Sequence, residues 1–500
     1  MYRASSSRLR GALKGYGQNR FATSASVASA PSSGSFFNWL TGENSKTLPP
    51  LNFPLPGVIN PSPLPDYVKP SVTKMTTLPN GVRIASQDST GPTASIGFYV
   101  DSGSIYETPS TCGCTHLLES MAFKSTANRS HLRVVREVEA IGGHVTASAS
   151  REQMGYTYDA LKTYAPQMVE LLVDSVRNPV FLDWDLKEQF DKVKQDIQEL
   201  KNNPQGLLLE ALHSTGYTGA LANPLLAPED AVDRLNGDLL EKFAAENYTA
   251  PRIVLSAYGL DHEELLSIAE PLLSDLPAVP HPMKPKSVYI GGEFRCHAET
   301  PTTDIAFAFE IPGGWQAEKE CMQLTVLQFL MGGGGSFSQG GPGKGMYSRL
   351  YRRVLNKHTE TQSFTAFNAI YDRSGLFGIH TTIDSEYVFL AVNLLVREFQ
   401  DVATPGDVKE CELNRAKEAA KSAVLMNMES RTVASEDIGR QILTYGERKP
   451  VEDFLNAIDA VTLDDIASIA QRIISSPLTM AAHGQVSKLE SYDTISRRFN

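Results

Sequence analysis

Gly113-Cys114-Thr115-His116-Leu117-Leu118-Glu119-Ser120-Met121-Ala122-Phe123-Lys124-Ser125-Thr126, followed by Glu139-Ala140-Ile141-Gly142-Gly143, is the most informative text in the 500-residue chain. The apolar spacing over residues 114–123 predicts a helix, and on a helix positions i, i+3 and i+4 share one face. His116 and Glu119 then point the same way, with Ser120 beside them. A His-x-x-Glu-His run in that geometry offers two imidazoles to one zinc ion and holds a carboxylate against the metal-bound water. Here an alcohol stands where the second imidazole would be.

Regular text extends on both sides. Residues 76–86 read as a hairpin around Asn80-Gly81 and residues 94–100 as a largely buried strand. Ser130 stands before a helix over 131–140 that stops at Gly142-Gly143, and alternation over 144–158 gives further strands. Leu186, Phe190, Val193, Ile197 and Leu200 form one apolar face of a long helix over 185–203, which Pro204 ends. A helix over 235–246 and a strand over 253–258 follow, and Pro277, Pro280, Pro282 and Pro285 mark a linker. Beyond it the order restarts. Residues 304–310 stand where 94–100 stood, Gly313-Gly314-Trp315 replaces the Ser102-Gly103-Ser104 turn, a helix runs over 318–331, and residues 478–484 match 253–259. This recurrence predicts an α+β chain of two homologous halves, each a mixed β-sheet packed with helices, over 71–275 and 293–500, with the linker over 276–292.

Lys and Arg number 46 against 57 Asp and Glu, a net charge of −11, which argues against nucleic acid held through its phosphates. Residues 1–42 contain Arg3, Arg8, Arg10, Lys14 and Arg20 but no Asp or Glu, and read as a mitochondrial or plastid targeting peptide. The chain beyond them carries 41 basic against 57 acidic side chains, a net charge of −16. Residues 43–70 are rich in proline and read as an extended arm. Five cysteines, Cys112 and Cys114 among them, make no disulfide framework and point to a reducing compartment. No window is apolar enough for a membrane-spanning helix, so membrane association is expected only through partners.

The segment over 113–126, with Glu139 to Gly143 after it, resembles the inverted-zinc-motif peptidases of family M16, which include the mitochondrial processing peptidase and the core proteins of the cytochrome bc1 complex. The resemblance covers nearly all of the chain after residue 70 and implies a LuxS/M16-like clamshell of the two halves. Placed on this sequence, His116 matches the first zinc ligand and Glu119 the base, Ser120 replaces the second ligand, and Asp196 stands at the third, one methylene shorter than the family's Glu. A catalytic zinc needs about three protein ligands beside its water. The resemblance therefore implies a degenerate motif, with no catalytic residue and no metal in this chain. The alternative is that Cys112 or Cys114 supplies the missing ligand, although Cys114, two residues before His116 on a helix, points to the other side.

Residues 331–345, MGGGGSFSQGGPGKG, hold eight glycines. A phosphate-binding frame fails, because Gly343-Lys344 is followed by Gly345 rather than Ser or Thr. A plain surface loop satisfies the same letters, but a long glycine-rich connection inside a compact domain is costly to order and tends to be functional. It resembles the glycine-rich loop of the family's noncatalytic subunits, which is implicated in engaging basic, amphipathic presequences. The resemblance thus implies substrate-binding roles for Gly332, Gly333, Gly334, Gly335, Ser336, Phe337, Gly340, Gly341, Gly343, Lys344 and Gly345.

The expectation is a noncatalytic recognition subunit on the matrix side of the mitochondrial inner membrane. It would bind presequence peptides, pair as a heterodimer with a catalytic β subunit that carries the zinc, and contact other cytochrome bc1 complex subunits. A purely structural core subunit is the alternative, and an active zinc peptidase is disfavoured by Ser120. Arg349, Arg352, Arg353, Lys357 and His358 read as a solvated helix face or one that meets an acidic partner, and Cys296, Cys321 and Cys411 as small buried hydrophobes.

Overall fold

Strands are present at each place the sequence reading put one, within 76–86, 94–100, 144–158, 253–258, 304–310 and 478–484, and further strands join them. The computed structural model describes residues 71–279, 283–336 and 345–499. The targeting segment, the proline-rich arm and Phe337, Gly340, Gly341, Gly343 and Lys344 lie outside the described residues. β1 (Lys74–Thr77) and β2 (Arg83–Gln87) make the hairpin around Asn80-Gly81, followed by β3 (Thr93–Val100), β4 (His144–Ala149), β5 (Met154–Leu161), β6 (Tyr217–Gly219) and β7 (Ile253–Tyr258). The first sheet runs β1-β2-β7-β3-β5-β4, antiparallel except for the β2–β7 pair.

After the linker come β8 (Ser287–Tyr289), which pairs with β6, then β9 (Gly292–His297), β10 (Thr302–Glu310), β11 (Gly333–Gly335), β12 (Thr361–Ile370), β13 (Gly375–Asp384) and β14 (Thr479–Gly484). The second sheet runs β11-β12-β13-β10-β14-β9, with β9–β14 as its parallel pair. Taken from the β9 end, β9-β14-β10-β13-β12 repeats β2-β7-β3-β5-β4 strand for strand, the parallel pair included. The recurrence read in the sequence is therefore β3 with β10 and β7 with β14. Only the edges differ: β1 extends the first sheet beside β2, and β11 extends the second beside β12.

One face of each sheet packs on helices of its own half, such as Ala165–Arg177 in the first and Val388–Ala403 and Leu463–Ile474 in the second. The other face is covered from the opposite half. The helix Pro204–Gly216 lies on β9, β10 and β14, where Leu208 and Leu212 pack with Ala306, Ala308 and Ala481. In return the helix Arg431–Tyr445 lies on β3 and β7, where Ile438 and Ile442 pack with Ala85 and Val254 and Ser256 Oγ donates to the Ser435 carbonyl at 2.8 Å. The clamshell is thus tied together by an exchange of helices, and residues 70–500 form one compact unit. At the centre of the second contact the buried Tyr99 ring fills a slot walled by Gly97, Gly155 and Gly439, and a Cβ at Gly97 or Gly439 would overlap the ring.

Three expectations need correction. Pro204 does not merely end a helix. The long helix is Asp183–Lys201, and Pro204 opens the next one at its first position, where a missing N–H breaks no bond and the Asn203 side chain accepts from Gly206 N at 3.3 Å. The basic run after residue 348 is not a solvated face. Tyr351–Leu355 is a π-helical turn that buries Tyr351, Val354 and Leu355 and draws Arg349 and Arg353 inward with them. Arg349, its side chain 1% exposed, meets Glu398, Asp407 and Glu412, and Arg353 meets Glu398, Asp401 and Asp407, while Arg352 and Lys357 remain exposed. Among the isolated thiols only Cys321 is buried; Cys296 is half-buried and Cys411 exposed, because Cys411 lies on the outer face of the helix Glu410–Met428.

Gly439→Val forces the Tyr99 ring from its slot and is expected to lower stability by about 1–3 kcal/mol, the range for overpacking. Arg349→Met removes the buried guanidinium shared by Glu398, Asp407 and Glu412, leaving Glu398 to Arg353 at 3.1 Å, and is expected to cost about 3–5 kcal/mol. Urea unfolding of both variants measures these losses, and an unchanged midpoint in either contradicts the packing described.

Candidate functional site

The helix Cys114–Ser120 begins at Gly113, which is left-handed at φ 91 and close enough to Ala227 that a Cβ would come within 2.6 Å of it. Four N–H groups at a helix start need acceptors. Glu107 accepts from Gly113 N at 2.8 Å and Thr115 N at 2.7 Å, the Thr111 carbonyl accepts from Cys114 N at 3.0 Å, and the Glu107 charge stands at the positive end of the helix. Burial pushes the Glu107 carboxyl up from its ordinary value, against the pull of those two N–H groups. This cap fixes the direction in which the next residue, His116, faces.

The buried His116 ring points at the helix Asp183–Lys201, with Nε2 3.7 Å from Asp196 Oδ2. One turn before Asp196, Lys192 shares its face and adds a positive charge. Burial lowers the His116 pKa, Asp196 opposes that shift and Lys192 adds to it. Burial raises that of Glu119, while the Ala149 N–H and Lys192 favour its ionised form and Asp196 disfavours it. The structure therefore gathers His116, Glu119 and Asp196, as the sequence implies, and adds Glu107, Lys192 and Ala227, which sequence reasoning missed. Of these only Lys192 had a signal, its spacing of four from Asp196.

The hydrogen bonding of His116 bears on metal binding. The Ala227 N–H donates to Nδ1 at 3.2 Å, which occupies that lone pair and leaves the proton of the neutral ring on Nε2, facing Asp196. A zinc-bound imidazole has the opposite arrangement, one nitrogen on the metal and an N–H donated outward. Among the described residues no three His, Cys, Asp or Glu side chains are grouped to hold a metal ion. The thiols do not fill the gap: among the described residues neither Cys112 nor Cys114 joins a group of three such side chains, and burial pushes both thiols up. These residues do not fit a zinc ion.

The glycine-rich segment belongs to the other half. The helix Glu318–Met331 ends at Gly332 (φ 58), whose carbonyl accepts from Ala366 N at 2.9 Å. β11 then pairs with β12 as Gly333↔Thr365, Gly334↔Phe364 and Gly335↔Ser363, and Ser336 N donates to the Gln362 carbonyl at 2.7 Å. A Cβ on Gly332 would overlap Ser348 and one on Gly333 the Phe364 carbonyl oxygen, whereas at Gly335 the space is open. The start of the segment is thus an anchored edge strand, with glycine demanded at its first two positions. On the far side, Gly345 and Met346 lead to the exposed Tyr347, which lies under the Arg415 guanidinium at 5.7 Å, and to the buried Arg349 cluster.

With this geometry in place, likeness to known proteins is informative. The family model for insulinase, peptidase family M16, matches residues 83–229, and that for the peptidase M16 inactive domain matches residues 234–420. A mitochondrial-processing peptidase subunit alpha from Solanum tuberosum is 62% identical over 100% of this chain and 99% of its own. A probable subunit alpha-2, chloroplastic/mitochondrial, from Arabidopsis thaliana is 58% identical over 100% of both chains, and the Homo sapiens subunit alpha is 33% identical over 89% of this chain and 88% of its own. A chain of Complex III2 from Candida albicans shares the fold, with a TM-score of 0.74 at 20% identity over 85% of this chain and 99% of its own.

Ser120→His combined with Asp196→Glu is expected to restore stoichiometric zinc to the purified chain, while Ser120→His alone restores little. Metal content after gel filtration measures this, and tight zinc in the unaltered protein would contradict the ligand argument.

Proposed function

Since the chain belongs to peptidase family M16, alongside the alpha subunits of the mitochondrial-processing peptidase, we propose that it is the noncatalytic recognition subunit of such a peptidase. It binds the basic presequences of precursors entering mitochondria and presents them to a zinc-bearing β partner, which cuts them. The observation that carries this reading is the His116 arrangement: one imidazole with its Nδ1 lone pair engaged, an alcohol at position 120 and a shortened carboxylate at 196. Glu119 accordingly has no metal-bound water to deprotonate and acts as a half-buried carboxylate of the scaffold.

Recognition fits the remaining chemistry. Presequences are cationic, and the chain beyond residue 42 carries a net charge of −16, a field of the attracting sign. The glycine segment supplies backbone groups at a sheet edge with few side chains to dictate sequence, which suits a binder of many different peptides. A matrix location and a core position in the cytochrome bc1 complex belong to the same proposal. Stoichiometric copurification with cytochromes tests the latter.

The purified chain alone is expected to bind a basic presequence peptide and cleave none, with cleavage appearing when the β partner is added. Gly333→Ala, which pushes β11 off Phe364, should weaken peptide binding about tenfold or more, whereas Gly335→Ala, facing open space, should change it less than twofold. Fluorescence anisotropy reads both. Unaided cleavage by the lone chain, or equal affinity in the two variants, contradicts the proposal.

A further inference from the structure

Between the halves lies a cavity of about 580 Å³, within the range of about 300–1,000 Å³ that ligand sites occupy. The β4–β5 turn of the first half forms one side. The other is built from the end of β12 and the helices Glu410–Met428, Arg431–Tyr445 and Val451–Asp459. The wall is apolar: Trp315, Ile370, Val424, Met428, Val433 and Phe454 line it. Into this wall are set three carboxylates, Glu152, Glu436 and Asp437, against one guanidinium, Arg440.

Those carboxylates are not equivalent. Glu436 is held by Arg440 at 2.6 Å, and Asp437 by Arg448 at 3.2 Å. Glu152 accepts only the backbone N–H of Asp372, at 3.0 and 3.1 Å, and among the described residues no Lys or Arg comes within 4 Å of it. Lys284, whose charge acts on it, is drawn to Asp372 at 3.6 Å and Asp101 at 4.0 Å. An apolar pocket with one carboxylate left to face an incoming cation matches a side chain pair in which an apolar group and a Lys or Arg are neighbours.

An exposed helix face runs from the rim of the cavity toward Tyr347. Leu425 and Met426, 49% and 67% exposed, stand on the helix Glu410–Met428 between the lining residues Val424 and Asn427. Eleven residues earlier on the same helix, about 16 Å along its axis, Arg415 lies over Tyr347, the exposed residue just past Gly345. The solvent face of one helix joins the two places.

We propose that this cavity is a second binding subsite for a cationic amphipathic peptide, taking an apolar side chain against the Trp315–Phe454 wall and an adjacent Lys or Arg on Glu152. The inference rests on the recognition role proposed above and assigns it a place separate from the glycine segment. It carries a pH signature. Burial pushes the Glu152 carboxyl up to about 7, Asp372 and Asp101 add to that shift, and the Asp372 N–H and Lys284 oppose it. Glu436, Asp437 and Arg440 face it across the cavity. A bound cation favours the ionised form, so peptide binding below that pKa must expel a proton, and affinity rises with pH by up to about tenfold from pH 6 to 8.

The test uses the full chain and a fluorescent, acid-free amphipathic peptide of Arg, Leu, Ala and Ser, titrated by anisotropy from pH 6 to 8. Val433→Trp, which fills the cavity, is expected to weaken binding at least tenfold. Glu152→Gln is expected to weaken it several-fold at pH 8 and to flatten the pH slope. A benzophenone-bearing peptide should crosslink to Met426 or Met428; this measurement and Glu152→Gln decide the matter should Val433→Trp fail to fold. Wild-type affinity and slope in both variants, or crosslinks confined to the glycine segment, overturn the subsite while Gly333→Ala can still bear out the recognition role. Failure of the unaltered chain to bind the peptide overturns the role itself and this inference with it.

Discussion

A β-sheet whose two faces are both apolar has to be covered twice, and each half of this chain covers its own sheet only once. The exchange of Pro204–Gly216 for Arg431–Tyr445 resolves that constraint, and much else follows from it. Small side chains at Ala306, Ala308 and Ala481 let one helix approach the second sheet, and the glycine slot around Tyr99 lets the other approach the first. Only two residues separate the end of the helix that carries Asp196 from Pro204, so the candidate site is tied through the chain to an anchor on the opposite half.

The His116 arrangement shows how one backbone contact can commit an imidazole. Ser120 sets an alcohol one residue beyond Glu119, and the Ala227 N–H claims the Nδ1 lone pair of His116. The helix itself persists, capped by Glu107 and packed into the core through Leu117 and Leu118. The shape of the half follows from this packing. Its stability comes from apolar burial and capping, which need no metal.

Much of this was legible in the sequence. The helix over 131–140 was marked by Ser130 and Gly142-Gly143 at its ends, the strand over 253–258 by a short apolar run, and the helix over 318–331 and the duplication by the element order restarting, β3 with β10 and β7 with β14. The grouping of His116, Glu119 and Asp196 came from a motif rather than from periodicity. What could not be read has a common cause: it depends on partners distant in sequence. Arg349 looks like any surface arginine until Glu398, Asp407 and Glu412 are placed around it, and Glu107 looks like a loop carboxylate until Gly113 and Thr115 turn their N–H groups toward it. The glycines were read by composition as a loop, whereas the register with β12 makes three of them an edge strand. The cavity around Glu152 needs both halves and has no contiguous signature at all.

The exchanged helices also set a schedule for how the molecule comes into being. A chain emerging from its N-terminus presents the first sheet some 170 residues before the helix that seals its back face; Arg83, for instance, must wait for the carbonyl of Ile442, 359 positions later. During that interval a broad oily surface is bare, and contacts of such long range form slowly and invite aggregation. A truncation that removes Arg431–Tyr445 therefore bares the sheet at the beginning of the chain as well as shortening its end.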